Sequence, residues 1–198
     1  MARAFFMTGV ASFGAYLLGS VLFGILVARS QGVDLRSEGS GNPGASNVMR
    51  TLGTGAGIAV LVLDLLKGLL PTLAARYYLD DASAAWVGAA STVGHCYSVF
   101  HRFRGGKGAA TGVGVVLAVS PLAGGAALTT FFAVKAISKK ASLGSLGGAL
   151  VALGIITYEA LSQSRFAFLA LTIALTLLIV WRHRSNIERL RAGEENDV

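Results

Sequence analysis

Residues 8–28 read TGVASFGAYLLGSVLFGILVA, a run without a single charged side chain. An α-helix rises about 1.5 Å per residue, so a run of this length can cross a hydrocarbon core of about 30 Å. Arg29 follows directly, without a convincing signal-peptide cleavage site before it. We therefore interpret this run as a retained first membrane span.

The same apolar pattern recurs along the rest of the chain. It predicts four more long spans, at about 53–75, 82–100, 143–163 and 165–181. Two shorter runs, 108–120 and 122–137, flank Ser120-Pro121, where proline favours a turn. Counted as full spans, this pair gives seven transmembrane helices; counted as a re-entrant hairpin, it leaves five. We expect an all-α polytopic membrane bundle that forms one domain over residues 1–198.

Composition agrees with a membrane protein, since 54% of the residues are hydrophobic and only 14% are charged. An ordinary soluble domain has roughly 25% charged residues. The net charge of +7 comes from basic residues scattered between apolar runs, so no nucleic-acid partner is expected. Lipid head groups and small anions are the favoured partners. A single cysteine, Cys96, excludes an internal disulfide.

The basic residues predict the orientation of the bundle. Five and seven spans both return the chain to the same side, so the count does not affect this prediction. With the N-terminus outside, the opposite face receives Arg29, Arg36, Arg50, Arg102, Arg104, Lys107, Lys135, Lys139, Lys140, Arg182, Arg184, Arg189 and Arg191. The outer face receives Arg3, Arg76 and Arg165. Because cytoplasmic loops are enriched in Lys and Arg, we predict an external N-terminus and a cytoplasmic C-terminus.

The first predicted cytoplasmic segment, residues 37–50, reads SEGSGNPGASNVMR. Glycines and small polar residues in tight turns expose backbone N–H donors that can surround an anion. Side-chain donors are also present, and a phosphate is a suitable acceptor for them. These side chains are Ser40, Asn42, Asn47 and Arg50. The alternative is a flexible polar loop that caps the second span.

The second segment, residues 94–111, reads GHCYSVFHRFRGGKGAAT. Gly105, Gly106 and Gly108 surround Lys107 just before an apolar helix, a pattern typical of an anion site at a helix N-terminus. It is not a nucleotide-binding P-loop, because no Ser or Thr follows the lysine. Only three histidines occur, and no Asp or Glu lies near His95 or His101 in the sequence, so we expect both to form local hydrogen bonds instead of binding a metal.

Two further places carry polar groups with several interpretations. Ser142 is expected to cap the fourth long span, and alone it would not indicate a site. His183 and Asn186 lie three residues apart and share a helix face, which suits proton transfer or anion binding. A solvated basic tail is the alternative.

Asp64 and Lys67 share a face within the second span and indicate either a functional site or a structural ion pair.

Taken together, the polar segments resemble the PlsY family of bacterial acyl-phosphate-dependent glycerol-3-phosphate acyltransferases. The matching pieces recur in family order over essentially the whole chain. They are residues 39–50, 94–108, Ser142-Leu143 and 183–190. Two positions depart from the family pattern: Ser46 stands where Thr is usual, and Ser98 where Pro is frequent.

The resemblance implies transfer of a fatty acyl group from acyl phosphate to the 1-hydroxyl of glycerol 3-phosphate. The products are lysophosphatidic acid and phosphate, and no cofactor is involved. It also implies a multi-pass protein of the bacterial inner membrane, with its active site on the cytoplasmic face, in contact with membrane lipid. A functional link to the enzyme that makes acyl phosphate follows.

The resemblance further implies roles for individual residues. Lys107, with the N–H groups of Gly105, Gly106 and Gly108, would bind one phosphate. Glycerol 3-phosphate would be oriented by Ser40, Asn42, Asn47, Arg50, Ser142, His183 and Asn186. The residues expected to act in catalysis are Lys107, Ser142 and His183. Because acyl phosphate is already activated, we expect catalysis by positioning and charge stabilisation, with His183 or a substrate phosphate taking the proton.

Two other functions compete with this interpretation. A small transporter or channel would explain the glycine-rich helices, although carriers usually bind their cargo near the bilayer midplane instead of at its surface. A scaffold for anionic lipids would explain the basic face but not the paired donor segments. An activity assay separates the three hypotheses.

Overall fold

The computed structural model describes residues 2–197, and all regular structure in that range is helical. Ten α-helices follow one another: α1 (Ala2–Gly19), α2 (Phe23–Ser30), α3 (Ala45–Leu52), α4 (Thr54–Tyr78), α5 (Asp81–Cys96), α6 (Ala109–Val119), α7 (Pro121–Ser138), α8 (Ala141–Gln163), α9 (Phe166–Arg182) and α10 (Arg184–Ala192). A short 3-10 turn, Val99–His101, lies between α5 and α6. The predicted all-α class is confirmed.

Four stretches of the described chain are long and apolar enough to cross a bilayer. They are Ala2–Ser30, Thr54–Tyr78, Pro121–Ser138 and Ala141–Gln163. A fifth candidate joins α9 to α10, although the two helices are bent by 54°. α6 has 11 residues and extends only about 16 Å, which is too short to cross a bilayer alone. The count of seven spans and the orientation therefore stay predictions.

The turn predicted between the two short runs is confirmed. α6 ends at Val119, and α7 begins at Pro121, where a proline lacks only an N–H that has no helical partner. Ser120 caps α7 because its Oγ accepts a hydrogen bond from Ala123 N at 3.1 Å. This side chain also donates to Glu159 Oε1 on α8 at 2.8 Å, so the turn is held from two sides.

The first predicted span, residues 8–28, lies within the candidate span Ala2–Ser30, whose helix is interrupted between Gly19 and Phe23. The break frees backbone carbonyls, which need partners in an apolar environment. Lys67 Nζ donates to Val21 O at 2.7 Å and pairs with Asp64 at 2.7 Å. The ion pair predicted within the second span is present, and it supports this break.

The helices pack closely around α4, which contacts α1, α3, α5 and α6, while α8 packs between α7 and α9. Glycines permit the tightest approaches. A Cβ on Gly114 of α6 would lie 2.0 Å from Leu65 O on α4, and one on Gly94 of α5 would lie 2.2 Å from Tyr16 O on α1. Helix packing therefore explains these glycines, as in other membrane bundles.

One end of the bundle is closed by arginines and the other holds most of the polar groups. Arg76 and Arg165 both donate to Val119 O, at 3.2 and 2.9 Å, and so satisfy the last carbonyls of α6. At the opposite end, Arg36 donates to Arg104 O at 2.7 Å. This second end carries the segments that the sequence singled out.

Candidate functional site

A large cavity opens among α4, α6, α7, α8 and α9. Its volume is about 1290 Å³, which includes the part open to the surroundings. The predicted site residues that line it are Ser40, Asn42, Asn47, Arg50, Lys107, Gly108, Ser142, His183 and Asn186. Gly105 and Gly106 are not among the lining residues. The fold thus brings together four polar segments that are far apart in the sequence.

The loop before Lys107 is fixed to the end of α5. The N–H groups of Gly105 and Gly106 donate to Cys96 O at 3.1 Å and to His95 O at 2.9 Å. The carbonyls of the same glycines accept from the guanidinium of Arg182, at 2.9 and 3.0 Å. The prediction that these two N–H groups bind phosphate is therefore corrected, since both are already engaged. Their role is to let the loop lie against α5.

The N-terminus of α6 supplies the donors that the two glycines do not. Gly108 adopts a φ of +82°, a left-handed conformation that suits glycine, and precedes Ala109, where α6 begins. The first N–H groups of a helix have no partner within it and carry partial positive charge. Gly108, Ala109 and Ala110 all line the cavity. This helix end therefore faces the space that Lys107 borders.

Asn47 has a structural role in the first polar segment. Its Oδ1 accepts from Ser40 N at 2.9 Å, and its Nδ2 donates to Glu38 O at 3.0 Å. The residue is 1% exposed, so these bonds hold the loop around a buried amide. The side chains of Ser40 and Asn42 line the cavity without a hydrogen bond to any other described residue. They are the members of this segment that remain available to a ligand.

Lys107 lies beside Asn186 at the mouth of the cavity. Its Nζ donates to Asn186 Oδ1 at 2.5 Å, although 79 positions separate the two residues in the sequence. Burial lowers the pKa of Lys107 to about 8. The ammonium is therefore poorly solvated, and an incoming anion would stabilise its charge.

His183 is held in one tautomer by the backbone. Its Nδ1 lies 2.8 Å from Ile179 O, and because a carbonyl can only accept, Nδ1 carries the proton. Nε2 of the neutral ring is left as an acceptor on a side chain that lines the cavity. Burial and the charge of Lys107 lower the pKa of His183 to about 4, so the ring is neutral near pH 7.

Ser142 was predicted to cap its helix, α8, but it does not. It is the second residue of α8, and Lys140 occupies the cap position without a side-chain cap. Ser142 Oγ instead donates to Glu195 Oε1 at 2.8 Å. Asn186 Nδ2 donates to the same oxygen at 2.5 Å, and Arg189 Nε donates to Glu195 Oε2 at 2.8 Å. The site therefore already holds a carboxylate from its own chain.

The charges of this cluster influence one another. Burial acts to raise the pKa of Glu195, but the hydrogen bonds from Asn186, Ser142 and Arg189 outweigh it and hold the pKa below its usual value. Burial lowers the pKa of Arg50, against the opposing effect of Glu195. Arg50 Nε donates to Asp197 O at 2.7 Å. The mouth of the cavity thus gathers cationic groups, of which Arg50 is exposed and Lys107 and Arg189 are half-buried.

A second polar cluster borders the cavity on the side of α4 and α5. Asp64 and His95 both line it, and His95 Nδ1 lies 3.7 Å from Asp64 Oδ1. His101, in contrast, makes a local contact with Ser98 Oγ at 3.1 Å, as expected. Among the residues described, no group of three or more His, Cys, Asp or Glu side chains could hold a metal ion.

Sequence reasoning missed two members of the site. Arg189 follows Asn186 by three positions, so the helix-face argument that paired His183 with Asn186 would also have found it. Glu195 lies beyond α10 in the acidic stretch Glu194-Glu195-Asn196-Asp197, which gave no signal of an anion site. Only the turn of the chain after Gly193, which has a φ of +75°, brings Glu195 back to the cavity.

Comparison with known proteins identifies a family, close relatives and solved structures that are similar to this chain. The sequence model of the glycerol-3-phosphate acyltransferase family matches residues 9–193. Proteins of that name from Geobacter metallireducens and Thioalkalivibrio sulfidiphilus are 50% and 48% identical, over 92% and 93% of this chain and 93% and 91% of their own lengths. Crystal structures of PlsY (YgiH), an integral membrane glycerol 3-phosphate acyltransferase, superpose closely. The glycerol 3-phosphate form has a TM-score of 0.91 at 38% identity over 97% of this chain and 96% of its own. The lysophosphatidic acid form has a TM-score of 0.88 at 37% identity, over 96% of this chain and 95% of its own.

Proposed function

Because this chain belongs to the glycerol-3-phosphate acyltransferase family, of the PlsY type, we propose that its acyl donor is an acyl phosphate and that it esterifies the 1-hydroxyl of glycerol 3-phosphate. The products of this reaction are lysophosphatidic acid and inorganic phosphate. The observation that carries the proposal is a cavity with a cationic polar mouth and an apolar interior.

The polar mouth suits two phosphorylated substrates. Lys107 and the N-terminus of α6 bind one phosphate, where Gly108 allows close approach. Ser40, Asn42 and Arg50 border the same space from the first polar segment, and Ser142, His183 and Asn186 border it from the other side. These six residues orient glycerol 3-phosphate, while Asn47 keeps their loop in place.

The apolar interior suits a fatty acyl chain. From His183, which follows α9 at the mouth, the lining positions run along α9 to Thr172, with Ile179, Thr176 and Leu175 between them. Eleven helical residues cover about 16 Å, close to half of a hydrocarbon core of about 30 Å. Ala152 on α8 borders the same depth. An acyl chain from one leaflet therefore fits with its phosphate at the polar mouth.

The reaction needs no covalent intermediate on the protein. The 1-hydroxyl oxygen bonds to the acyl carbon, and the bond from that carbon to the phosphate oxygen breaks. Phosphate leaves with the electron pair, and Lys107 stabilises its growing charge. The hydroxyl proton passes to His183 Nε2 or to a substrate phosphate. Ser142 holds glycerol 3-phosphate, the acyl acceptor, by hydrogen bonding. Most of the rate enhancement therefore comes from positioning.

The pKa of His183 bears on its role as a proton acceptor. A pKa of about 4 makes the His183 ring a weak base, because the positive charge of Lys107 adds to the effect of burial. A bound phosphate dianion would offset that charge and raise the basicity of the ring. His183 therefore becomes a better acceptor when substrate is present.

The cavity mouth lies on the cytoplasmic side of the bacterial inner membrane in this proposal. The basic residues of the sequence concentrate at that end, which includes Arg36, Arg50 and Arg182. Glycerol 3-phosphate then arrives from the cytoplasm, and acyl phosphate comes from the enzyme that makes it. Membrane lipid surrounds the helices, and the product enters the bilayer directly.

A transporter is less well supported by the same cavity. Its deep end is closed by core residues one turn beyond the lining, namely Ile156 on α8 and Phe168 on α9, which are 1% and 2% exposed. Arg165 lies over the Phe168 ring at 4.7 Å and seals this end further. A carrier usually binds its cargo near the bilayer midplane, whereas the polar groups here gather at the cavity mouth. A lipid scaffold, in turn, would not need so deep a cavity.

The test is a two-substrate assay with purified protein in detergent. Acyl phosphate and glycerol 3-phosphate are supplied singly and together, and free phosphate is measured. The proposal predicts phosphate release that requires both substrates. No release would remove the proposed reaction, and uptake of glycerol 3-phosphate into liposomes without release would favour transport.

A further inference from the structure

The carboxylate of Glu195 lies inside the candidate anion site although it follows the last helix. It is 5% exposed and accepts hydrogen bonds from Ser142, Asn186 and Arg189. Its neighbour Glu194 is exposed and makes no side-chain hydrogen bond within the described residues. Two adjacent glutamates thus differ completely in environment, and only one of them enters the cavity.

The segment around Glu195 is fastened across the mouth by basic residues. Lys140 Nζ contacts Glu195 O and lies 2.5 Å from Asp197 Oδ1. Arg50 Nε donates to Asp197 O at 2.7 Å. Glu195 and Asn196 are themselves among the lining residues. Residues 195–197 therefore form a strap, held by Arg50, which lines the cavity, and by Lys140, which precedes α8.

A carboxylate and a phosphate compete for this kind of donor set. Both present several acceptor oxygens to hydroxyl, amide and guanidinium donors. Two anions in one poorly solvated space repel each other strongly. Ser142 and Asn186 cannot hold Glu195 Oε1 and a substrate phosphate in the same place. Either the strap moves or the phosphate stays out.

We propose that Glu195 occupies a phosphate subsite formed by Ser142, Asn186 and Arg189, and that substrate must displace the strap 195–197 to enter. Glu195 is thus an internal competitor, and Arg189 is a ligand for phosphate once the carboxylate has left. This inference rests on the proposed function only in taking the cavity mouth as a phosphate site. Gly193, with its φ of +75°, is the point where the strap turns away from α10.

The expected size of the effect follows from population arithmetic. In most molecules the site is occupied by its own carboxylate. The apparent affinity for a ligand is then the intrinsic affinity multiplied by the fraction of molecules in which the site is free. Glu195→Gln removes the charge and turns an amide N–H₂ towards the donors of the site. The charge is lost from all three hydrogen bonds of this carboxylate, and losing the charge assistance of even one corresponds to a change on the order of tenfold in occupancy. Phosphate should bind tighter by a similar factor.

The test measures binding of inorganic phosphate to the full-length protein in detergent by calorimetry. Glu195→Gln is compared with Glu194→Gln, which removes the same charge one residue away. We expect Glu195→Gln to bind phosphate on the order of tenfold tighter than wild type, and Glu194→Gln to stay within about twofold. Equal or weaker binding by Glu195→Gln, in protein with an unchanged melting temperature, would overturn the proposal.

Steady-state kinetics separate competition from a positioning role of Glu195. A competitor that leaves before the reaction changes KM, so Glu195→Gln should lower KM with kcat unchanged. A group that holds Asn186 for catalysis would lower kcat, and that result would overturn the proposal. If Glu195→Gln does not fold, Glu195→Ala serves in its place. Should the protein show no acyl transfer at all, the phosphate calorimetry still decides about the strap.

Discussion

Gly105 offers the sharpest test of how the loop before Lys107 is positioned. A Cβ on this residue would lie 2.0 Å from His95 O and 2.7 Å from Cys96 C, both backbone atoms of α5. Ordinary contacts between heavy atoms lie at about 3.5–4.0 Å, so the loop must move by more than about 1 Å in Gly105→Ala. The bond from Gly105 N to Cys96 O would also be lost or stretched.

The consequence for activity can be estimated from that displacement. Lys107 is two residues away, and a misplacement of about 1 Å can cost on the order of 10²-fold in rate. We expect kcat/KM of Gly105→Ala to fall by about this factor, with a loss of about 1–3 kcal/mol in stability from overpacking. The measurement is phosphate release from acyl phosphate and glycerol 3-phosphate, on the monodisperse fraction of each protein.

A matched variant separates the loop effect from a general effect of adding a methyl group. Gly125 lies in α7, where a Cβ would meet nothing within 4 Å. Gly125→Ala should keep wild-type activity and gain up to about 1 kcal/mol in helix stability. If Gly105→Ala retains the kcat/KM of Gly125→Ala, the close fit of this loop against α5 is not what positions Lys107, and our reasoning is refuted.

The remaining predictions concern charge, proton transfer and chain length. Lys107→Met should lower kcat/KM on the order of 10²-fold or more. It should not lower the melting temperature, because burial already disfavours the ammonium of Lys107. Lys139→Met, at an exposed position, should change neither kcat/KM nor the melting temperature. Since the pKa of Lys107 lies at about 8, the free enzyme loses this charge as the pH rises, so kcat/KM should fall above pH 8, and Lys107→Arg should move the fall to higher pH. His183→Ala should lower kcat at saturating substrate by about 10²-fold or more, and near-normal turnover would exclude His183 as the proton acceptor. Ala152→Phe should shift the donor preference towards shorter acyl chains, whereas Val151→Phe on the exposed side of α8 should leave it unchanged, as measured with acyl phosphates of graded length.

Much of the fold could be predicted from the sequence because apolar length is read directly as helix length. The turn at Ser120-Pro121 was found for the same kind of local reason. The break after Gly19 could not be found, because no proline or charge marks it. The Val21 carbonyl is satisfied by Lys67, which lies 46 positions away along the chain, and the Ser20 carbonyl is satisfied by Ser98. Such a break depends on a tertiary partner.

The site was predictable to the extent that donors cluster in the sequence. Lys107 and Asn186 were chosen for their segments, and the fold brings them into contact. The glycine N–H groups were misjudged, since the pattern around Lys107 does not reveal that α5 supplies carbonyls to Gly105 and Gly106. Glu195 was missed because an acidic residue does not suggest an anion site, although its carboxylate accepts hydrogen bonds from Ser142, Asn186 and Arg189.

The central claim is that one cavity transfers an acyl group from acyl phosphate to glycerol 3-phosphate. The most direct measurement is the stoichiometry of the two products, with lysophosphatidic acid followed by mass spectrometry and phosphate followed in the same reaction. Our account predicts one phosphate released for each lysophosphatidic acid formed, and a rate that falls together for both products in Lys107→Met but not in Lys139→Met. Phosphate release without ester formation, or ester formation without phosphate, would contradict it.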